Sequence, residues 1–252
     1  IDEKLPLVRE ISIDHAGVDP VKEPIPVMPV AHYFMGGVHT NIHTETPIQG
    51  LFAAGETACV TINGANRLGS NSLAECLVFG KVSGERALEF SEKNIQPDIP
   101  ENNLDEEKNR LISLLSRKGN VKVSEVRDMM HKTMDTHANI ERNQNGLTKA
   151  IEDIARAREQ FGHIGLMDQN LIFNTEFISL LELENMLIVA ESVLRSALSR
   201  EESRGSHFRI DFQTRDDKNF LKHLLIEKSG SKMMLKEWPV SITKYQPTER
   251  KY

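Results

Sequence analysis

Apolar and polar positions follow a different rhythm in each third of the chain. Leu7 to His15 carries apolar residues at helical spacing and predicts a short helix. Pro20, Pro24, Pro26 and Pro29 follow; rings that fix φ and remove the N–H donor exclude helix there and predict an extended path. Leu51 to Ala54 is a short apolar run stopped by Gly55-Glu56, the length of a buried strand. Beyond Ser70-Asn71-Ser72, which can cap a helix, Leu73, Leu77, Val78 and Leu88 share an apolar side. Cys76, Gly80 and Gly84 recur every fourth residue on the same helix, a small face that lets another backbone come close.

Asn94 to Asn103 is polar and holds Pro97 and Pro100, which predicts a linker. Helical rhythm then dominates. Leu104 to Arg117 is one element, and a second, capped by Ser124, carries Val126, Met129, Met130 and Met134. A third runs from Leu147 to Phe161 and a fourth from Thr175 to Glu201 behind an Asn174 cap, about 40 Å long at about 1.5 Å per residue. Four such elements in succession predict an antiparallel helical bundle whose methionines belong to the core. After Gly205 the period changes to two in His207 to Phe212. His223 to Glu227 and Met233 to Lys236 flank Lys228-Ser229-Gly230-Ser231-Lys232 as hairpin arms, and Val240 to Thr243 reads as a further short strand. The expected class is mixed α and β, mainly helical, divided at 1–93, 94–201 and 202–252.

Composition narrows the function. A length of 252 residues suffices for two or three units, and a net charge of −6 with charges spread throughout argues against broad nucleic-acid binding. Cys59 and Cys76 lie in apolar company without metal-ligand spacing, so both are expected reduced and buried in an intracellular protein. No apolar run approaches the roughly 18 residues of a membrane span and no secretory signal is visible, so membrane association is expected only through partners. His39 and His43 lie four apart, but on an expected strand and turn with no third ligand, so no metal is assigned. Ile1 is not methionine and no GxGxxG phosphate loop occurs, which fits the carboxyl-terminal part of a longer polypeptide.

Several residues carry chemistry. Glu56, directly after an apolar strand and a glycine, is placed either to accept hydrogen bonds from a ribose or to sit solvated in a loop. The planar fork of Arg67 suits bidentate capture of a carboxylate, or else a structural ion pair. His32 can donate to a carboxylate or pack beside Tyr33 with one satisfied nitrogen. Gly36 and Gly37 allow backbone to approach a ligand. Free amides at the helix start, Asn71 to Leu73, form an anion site of the kind a reduced flavin ring would use. Arg204, His207, Arg209, Arg215, Asp216, Asp217 and His223 are too charge-dense for ordinary core and predict an ion-pair network fixing the tail onto the bundle.

HYFMGG (His32 to Gly37), GLFAAGE (Gly50 to Glu56), GANRLGSNSLAE (Gly64 to Glu75), ESRGSHFRIDF (Glu202 to Phe212), RDDKNFLKH (Arg215 to His223) and ERKY (Glu249 to Tyr252) keep one order along nearly the whole chain. Together they resemble the flavoprotein subunit of succinate dehydrogenase and fumarate reductase. The resemblance implies that residues 1–93 are the carboxyl-terminal segment of an FAD-binding domain, including the return from its capping domain, followed by the bundle and a small α+β tail. It implies hydride transfer between a dicarboxylate carbon and the flavin, with His32 and Arg67 binding substrate and Gly36, Gly37, Glu56, Asn71, Ser72 and Leu73 binding FAD. No residue of this chain is assigned the catalytic proton transfer, and the chain by itself is expected neither to turn over nor to retain flavin. Part of the charged tail cluster would face the flavin domain and hold the cofactor region in shape. Implied partners are the amino-terminal FAD and capping half and an iron-sulfur subunit passing electrons to membrane quinone. The implied location is peripheral, on the inner face of the cytoplasmic or mitochondrial inner membrane. The resemblance departs at Asn63, where the family pattern has a histidine; asparagine keeps a donor but does not titrate near neutrality. L-aspartate oxidases share the first half of the pattern, and a non-catalytic helical docking module is the rival from another class; both alternatives stay open at the level of sequence.

Overall fold

The computed structural model describes residues 1–95, 98–230 and 232–248. Of the sequence expectations, Pro97, Ser231 and the ERKY motif lie outside the described residues. The chain divides into two units, Ile1–Phe34 and Met35 onward.

In the first unit, α1 (Pro6–Ala16) starts with proline in its first turn, where the missing N–H costs nothing, and stops at Gly17 in the left-handed region. Arg9 bridges Asp2 at 2.6 Å and Asp19 at 3.1 Å, tying the helix to the turn that follows. The proline-rich stretch then runs without regular secondary structure, as its composition predicts.

The second unit opens with β1 (Val38–His39) paired in parallel with β2 (Ala58–Cys59). The expected strand at Leu51 to Ala54 does not form as a ladder. Gly50 and Gly55, with φ of 81° and 77°, turn the backbone on either side of it. The four residues between bond to the preceding turn instead, Ala53 N–H to Thr44 O and Thr46 N–H to Leu51 O at 3.0 Å and Leu51 N–H to Ile48 O at 3.1 Å. Helix α2 (Asn71–Lys93) covers the expected span, but Ser70 is left-handed and its side chain makes no cap bond. Only Glu75 is buried on α2, and Leu73, Leu77, Val78 and Leu88 are all more than half exposed. Of the small face, Cys76 packs its Sγ on Gly55, whereas Gly80 and Gly84 meet open space. Cys76 is exposed and Cys59 half-buried, so neither is the fully buried thiol expected, and both thiols are free.

The bundle core is built by α4 (Val123–His137), α5 (Gln144–Phe161) and α6 (Thr175–Ser199), preceded by α3 (Glu101–Ser116). Val126, Leu147, Ala150, Ile154, Leu180, Leu183 and Leu194 are fully excluded from solvent at helical spacing, the apolar stripe that the rhythm predicts. Helix α3 buries no residue fully and joins through the half-buried Leu114 and Leu115 and an Arg110–Glu184 bridge of 2.8 Å. Asn174 caps α6 as expected, accepting from Phe177 N–H at 2.7 Å. Ser124 does not cap α4: the helix begins one residue earlier at the buried Val123, and Glu125 accepts from Lys122 N–H at 3.1 Å.

In the tail, β4 (Phe208–Arg209) pairs with β3 (Glu141–Arg142), the connector between α4 and α5. Tight turns bridged at Arg204–His207 and Arg209–Phe212 leave only these two residues of the alternating stretch as strand. After α7 (Asp217–Phe220), β5 (Lys222–Ser229) and β6 (Lys232–Pro239) form the expected hairpin, registered from Lys222 opposite Pro239 to Ser229 opposite Lys232. Pro239 supplies no N–H, the ladder ends there, and Val240 to Thr243 is not a strand. Among the described residues no helix is long and apolar enough to cross a membrane.

Candidate functional site

The loop between β2 and α2 carries Arg67. Its backbone changes direction repeatedly, with Thr61 and Ser70 at φ of 69° and 67°, conformations a non-glycine residue adopts only when its surroundings fix it. Two tethers do so. On one side Asn63 Nδ2 donates to Glu75 Oε2 at 2.8 Å, and Glu75 is only 3% exposed on the first turns of α2. On the other, the tail reaches back across 141 residues: Ser206 donates to the carbonyl of Ala65 from both its N–H and its Oγ, at 3.0 Å each. Gly205 lies so close that a Cβ there would stand 2.4 Å from the same oxygen. Arg67 itself is half-buried and donates from Nη1 to Leu68 O at 2.9 Å.

Gly36, Gly37, Glu56, Arg67, Asn71, Ser72 and Leu73 belong to the second unit, and His32, exposed, belongs to the first. Gly37 takes φ of 139°, and a Cβ there would meet Thr57 O at 2.5 Å; its close approach is to the chain's own turn before β2. Glu56 is exposed in the single 3-10 turn Gly55–Thr57, so it precedes a strand rather than ending one. Asn71 N–H donates to Leu68 O at 3.3 Å where α2 begins.

The charged tail cluster is a network with a hub that the residue pattern alone does not single out. Glu202, 0% exposed, accepts from Arg200 at 2.6 Å, from Arg204 at 2.7 and 3.0 Å and from Asp216 N–H at 2.8 Å. Burial pushes its carboxyl up, but the bonds from Arg204, the Asp216 amide and Arg200 outweigh that, and its pKa lies below the ordinary glutamate value. Arg204 also pairs with Asp217 at 2.7 Å, and Arg215 joins Asp217 at 2.9 Å. Arg209, fully buried, places Nη1 on the carbonyls of Ala197, Leu198 and Arg200 at 3.0 to 3.2 Å, a cation capping the carboxyl end of α6. Its other side grips Asp211 at 2.8 Å and holds that carboxyl at about 2.

His207 lies 3.1 Å from Arg142 Nη1 through Nδ1 and 3.1 Å from Arg200 O through Nε2. A guanidinium can only donate and a carbonyl can only accept, so Nε2 carries the proton and the ring is neutral. Burial, aided by the nearby Arg142, Arg200 and Arg209 charges, pushes its pKa down to about 4. His223 lies on β5 opposite Trp238, where burial, aided by the Arg200 charge, holds its pKa below the ordinary histidine value. With His39, Thr40 and Trp238 it lines an open cleft of about 420 Å³. Among the described residues no three His, Cys, Asp or Glu are placed to hold a metal ion.

Residues 1–73 match the family model described as "FAD binding domain", and residues 127–252 match "Fumarate reductase flavoprotein C-term". These two matches define the class as a flavoprotein of FAD-binding type. The whole chain is 46% identical over 260 residues to the fumarate reductase flavoprotein subunit of Mycobacterium tuberculosis strain H37Rv, covering 45% of that protein. It is 39% identical to the succinate dehydrogenase flavoprotein subunit of Rickettsia conorii, with 96% of this chain and 43% of that one aligned. A solved quinol fumarate reductase of E. coli superposes with a TM-score of 0.95 at 40% identity, over 98% of this chain and 43% of that one. The chain belongs to the fumarate reductase and succinate dehydrogenase flavoprotein family. It spans less than half the length of these relatives.

Proposed function

We propose that this chain is the part of a succinate- and fumarate-interconverting flavoprotein that binds one carboxylate of the substrate and the ring end of FAD. The observation that supports this most is the double tether of the Arg67 loop. A flexible arginine on a free loop would lose binding energy to ordering, whereas one held through Asn63–Glu75 and Ala65–Ser206 is preorganised. Arg67 would present its fork to a substrate carboxylate, and His32, in the first unit, is a separate candidate donor to a carboxylate. The amides of Ser72 and Leu73 in the first turn of α2 would face the electron-rich edge of the ring, since a helix start favours negative charge, whereas Asn71, whose N–H is donated to Leu68 O, would take part only through its side chain. Glu56, exposed within its turn, would accept from the ribose hydroxyls, and Gly36 and Gly37 would line the approach.

FAD, when bound, supplies the two-electron chemistry at its ring; the residues of this chain orient the dicarboxylate toward it and compensate its charge. Partners in this reading are the FAD-binding and capping half, an iron-sulfur subunit taking up the electrons, and through it a membrane, with the flavoprotein peripheral on its inner face. The chain alone would neither retain flavin nor turn over. Arg67→Ala in the full-length flavoprotein removes a charge-assisted hydrogen-bond pair from a half-buried site. We expect kcat/KM for fumarate or succinate to fall by about 100-fold or more, from roughly 3 kcal/mol of lost stabilisation. Unchanged kcat/KM, or activity of the parent on aspartate alone, would overturn the reading.

A further inference from the structure

We propose that Gly205 and Ser206 are positioning residues for the dicarboxylate site, a turn of the tail that sets where Arg67 stands without touching the substrate. The inference rests on the reading of Arg67 given above. The turn is itself rigid: Arg204 and His207 exchange backbone bonds of 2.8 and 3.1 Å across the two residues, and Gly205 takes φ of 59°, which glycine adopts without strain. Each flank of the turn is anchored. Arg204 is held by Glu202 and Asp217. His207 is held by Arg142, in the connector between α4 and α5, and by the carbonyl of Arg200 just past α6. A continuous line of directional contacts therefore runs from the bundle through Arg142 and His207 to the turn, and from Ser206 to Ala65.

Ala65 is two residues from Arg67, at most about 7 Å of chain, so a shift of its carbonyl is passed on to the arginine with little room for relaxation. The fit at Gly205 leaves no freedom: a Cβ would lie 2.4 Å from Ala65 O and 2.8 Å from Ala65 Cβ, so any side chain must displace the loop. Ser206 adds direction, because its N–H and hydroxyl converge on one oxygen.

The test uses the full-length, flavin-loaded protein in its complex, with malonate as a dicarboxylate that binds without reacting. Its Kd is read from the flavin absorbance change, beside KM, kcat and Tm. Gly205→Ala is expected to weaken malonate by about tenfold or more, and Ser206→Ala, which keeps the backbone bond, by a few fold. Ser206→Thr restores the parent value. Gly230→Ala is the control for backbone strain, since Gly230 has φ of 61° in open space; it should lower Tm and leave Kd untouched. In an Arg67→Ala background Gly205→Ala should cost nothing further, the non-additivity expected when one residue acts through the other.

A flavin-loaded Gly205→Ala protein with parental Kd and KM would overturn the proposal, as would equal weakening by Gly230→Ala. Should Gly205→Ala fail to fold, the Ser206→Ala and Ser206→Thr pair decides on the same Kd criterion. Arg67→Ala separates the two claims. If it leaves malonate binding intact, the dicarboxylate reading is wrong; if it abolishes binding while the turn variants leave it unchanged, only the positioning role is wrong.

Discussion

Replacing Glu202 by alanine removes the acceptor on which four donated hydrogen bonds converge in the tail. Breaking a buried ion pair by deleting one partner costs about 3–5 kcal/mol, because the opposite charge is left desolvated. Two features of the site lower that figure. Arg200 and Arg204 are 15% and 19% exposed, so water reaches them in part. Arg200 also keeps the carbonyls of Phe220 and Lys222, and Arg204 keeps Asp217. We therefore expect a loss of about 2–4 kcal/mol, or about 5–12 °C in Tm for a chain of this size. Trp238, the single tryptophan, lies on β6 and reports unfolding of the tail by fluorescence. Glu107→Ala, which breaks an exposed pair with Arg110, is the comparison and should shift Tm far less. Because the folded pKa of Glu202 is depressed, its contribution is fully present above the ordinary glutamate pKa and disappears as pH falls through the lower folded value. The gap between parent and Glu202→Ala must therefore narrow in acid. A Tm loss no larger than that of Glu107→Ala, or a gap independent of pH, would refute the account of Glu202 as hub.

His207 gives a second pH signature. Its folded pKa of about 4 lies below the ordinary histidine value, so the unfolded chain binds the proton first as pH falls. Stability should decline between about pH 6.5 and pH 4 by on the order of 1–3 kcal/mol, and His207→Gln should flatten that slope in thermal melts taken across the range. Hydrogen exchange should divide the second unit in two: amides of α5 and α6, whose side chains include fully buried leucines and isoleucine, exchange slowest, and those of α2, with only Glu75 buried, exchange faster. Equal protection of α2 and α6 in the isolated chain would contradict the burial pattern.

Local rules read the bundle well and the site loop poorly, for a physical reason. Leu147, Ile154, Leu180, Leu187 and Leu194 announce their helices because burial repeats with the helix period, and Asn174 announces its cap because the cap is a contact three residues long. The hairpin is equally visible, since both arms are continuous in sequence. Leu51 to Ala54 misleads because composition registers apolarity but not the positive φ of the glycines on either side. Cys76 misleads because its small neighbours suggest a packed face, whereas Gly80 and Gly84 meet open space and Cys76 itself is exposed. Arg67, Glu56 and the helix start at Ser70 stand out in the sequence as candidates for chemistry, yet nothing near them points to Ser206, and Glu75, close by in sequence, does not announce itself as a buried acceptor. The motif containing Gly205 and Ser206 is visible as a resemblance; what it holds is 141 residues away, beyond any local pattern.

The tail spends buried charge where apolar packing would stabilise as well. Ion pairs excluded from water are poor sources of net stability, and a well-packed apolar replacement of the same volume is often as stable or more so. Apolar contacts, however, are indifferent to a rotation or slide of a few tenths of an ångström, while a guanidinium meeting a carboxylate, or an imidazole meeting an arginine and a carbonyl, has one geometry. Glu202, Arg204, His207 and Arg142 all lie within two contacts of the Gly205-Ser206 turn, where a small displacement is passed to Ala65. If Arg67 has the role proposed above, the directional bonds sit where position matters most, and the α4–α6 core is left to leucine, isoleucine, valine, alanine and methionine.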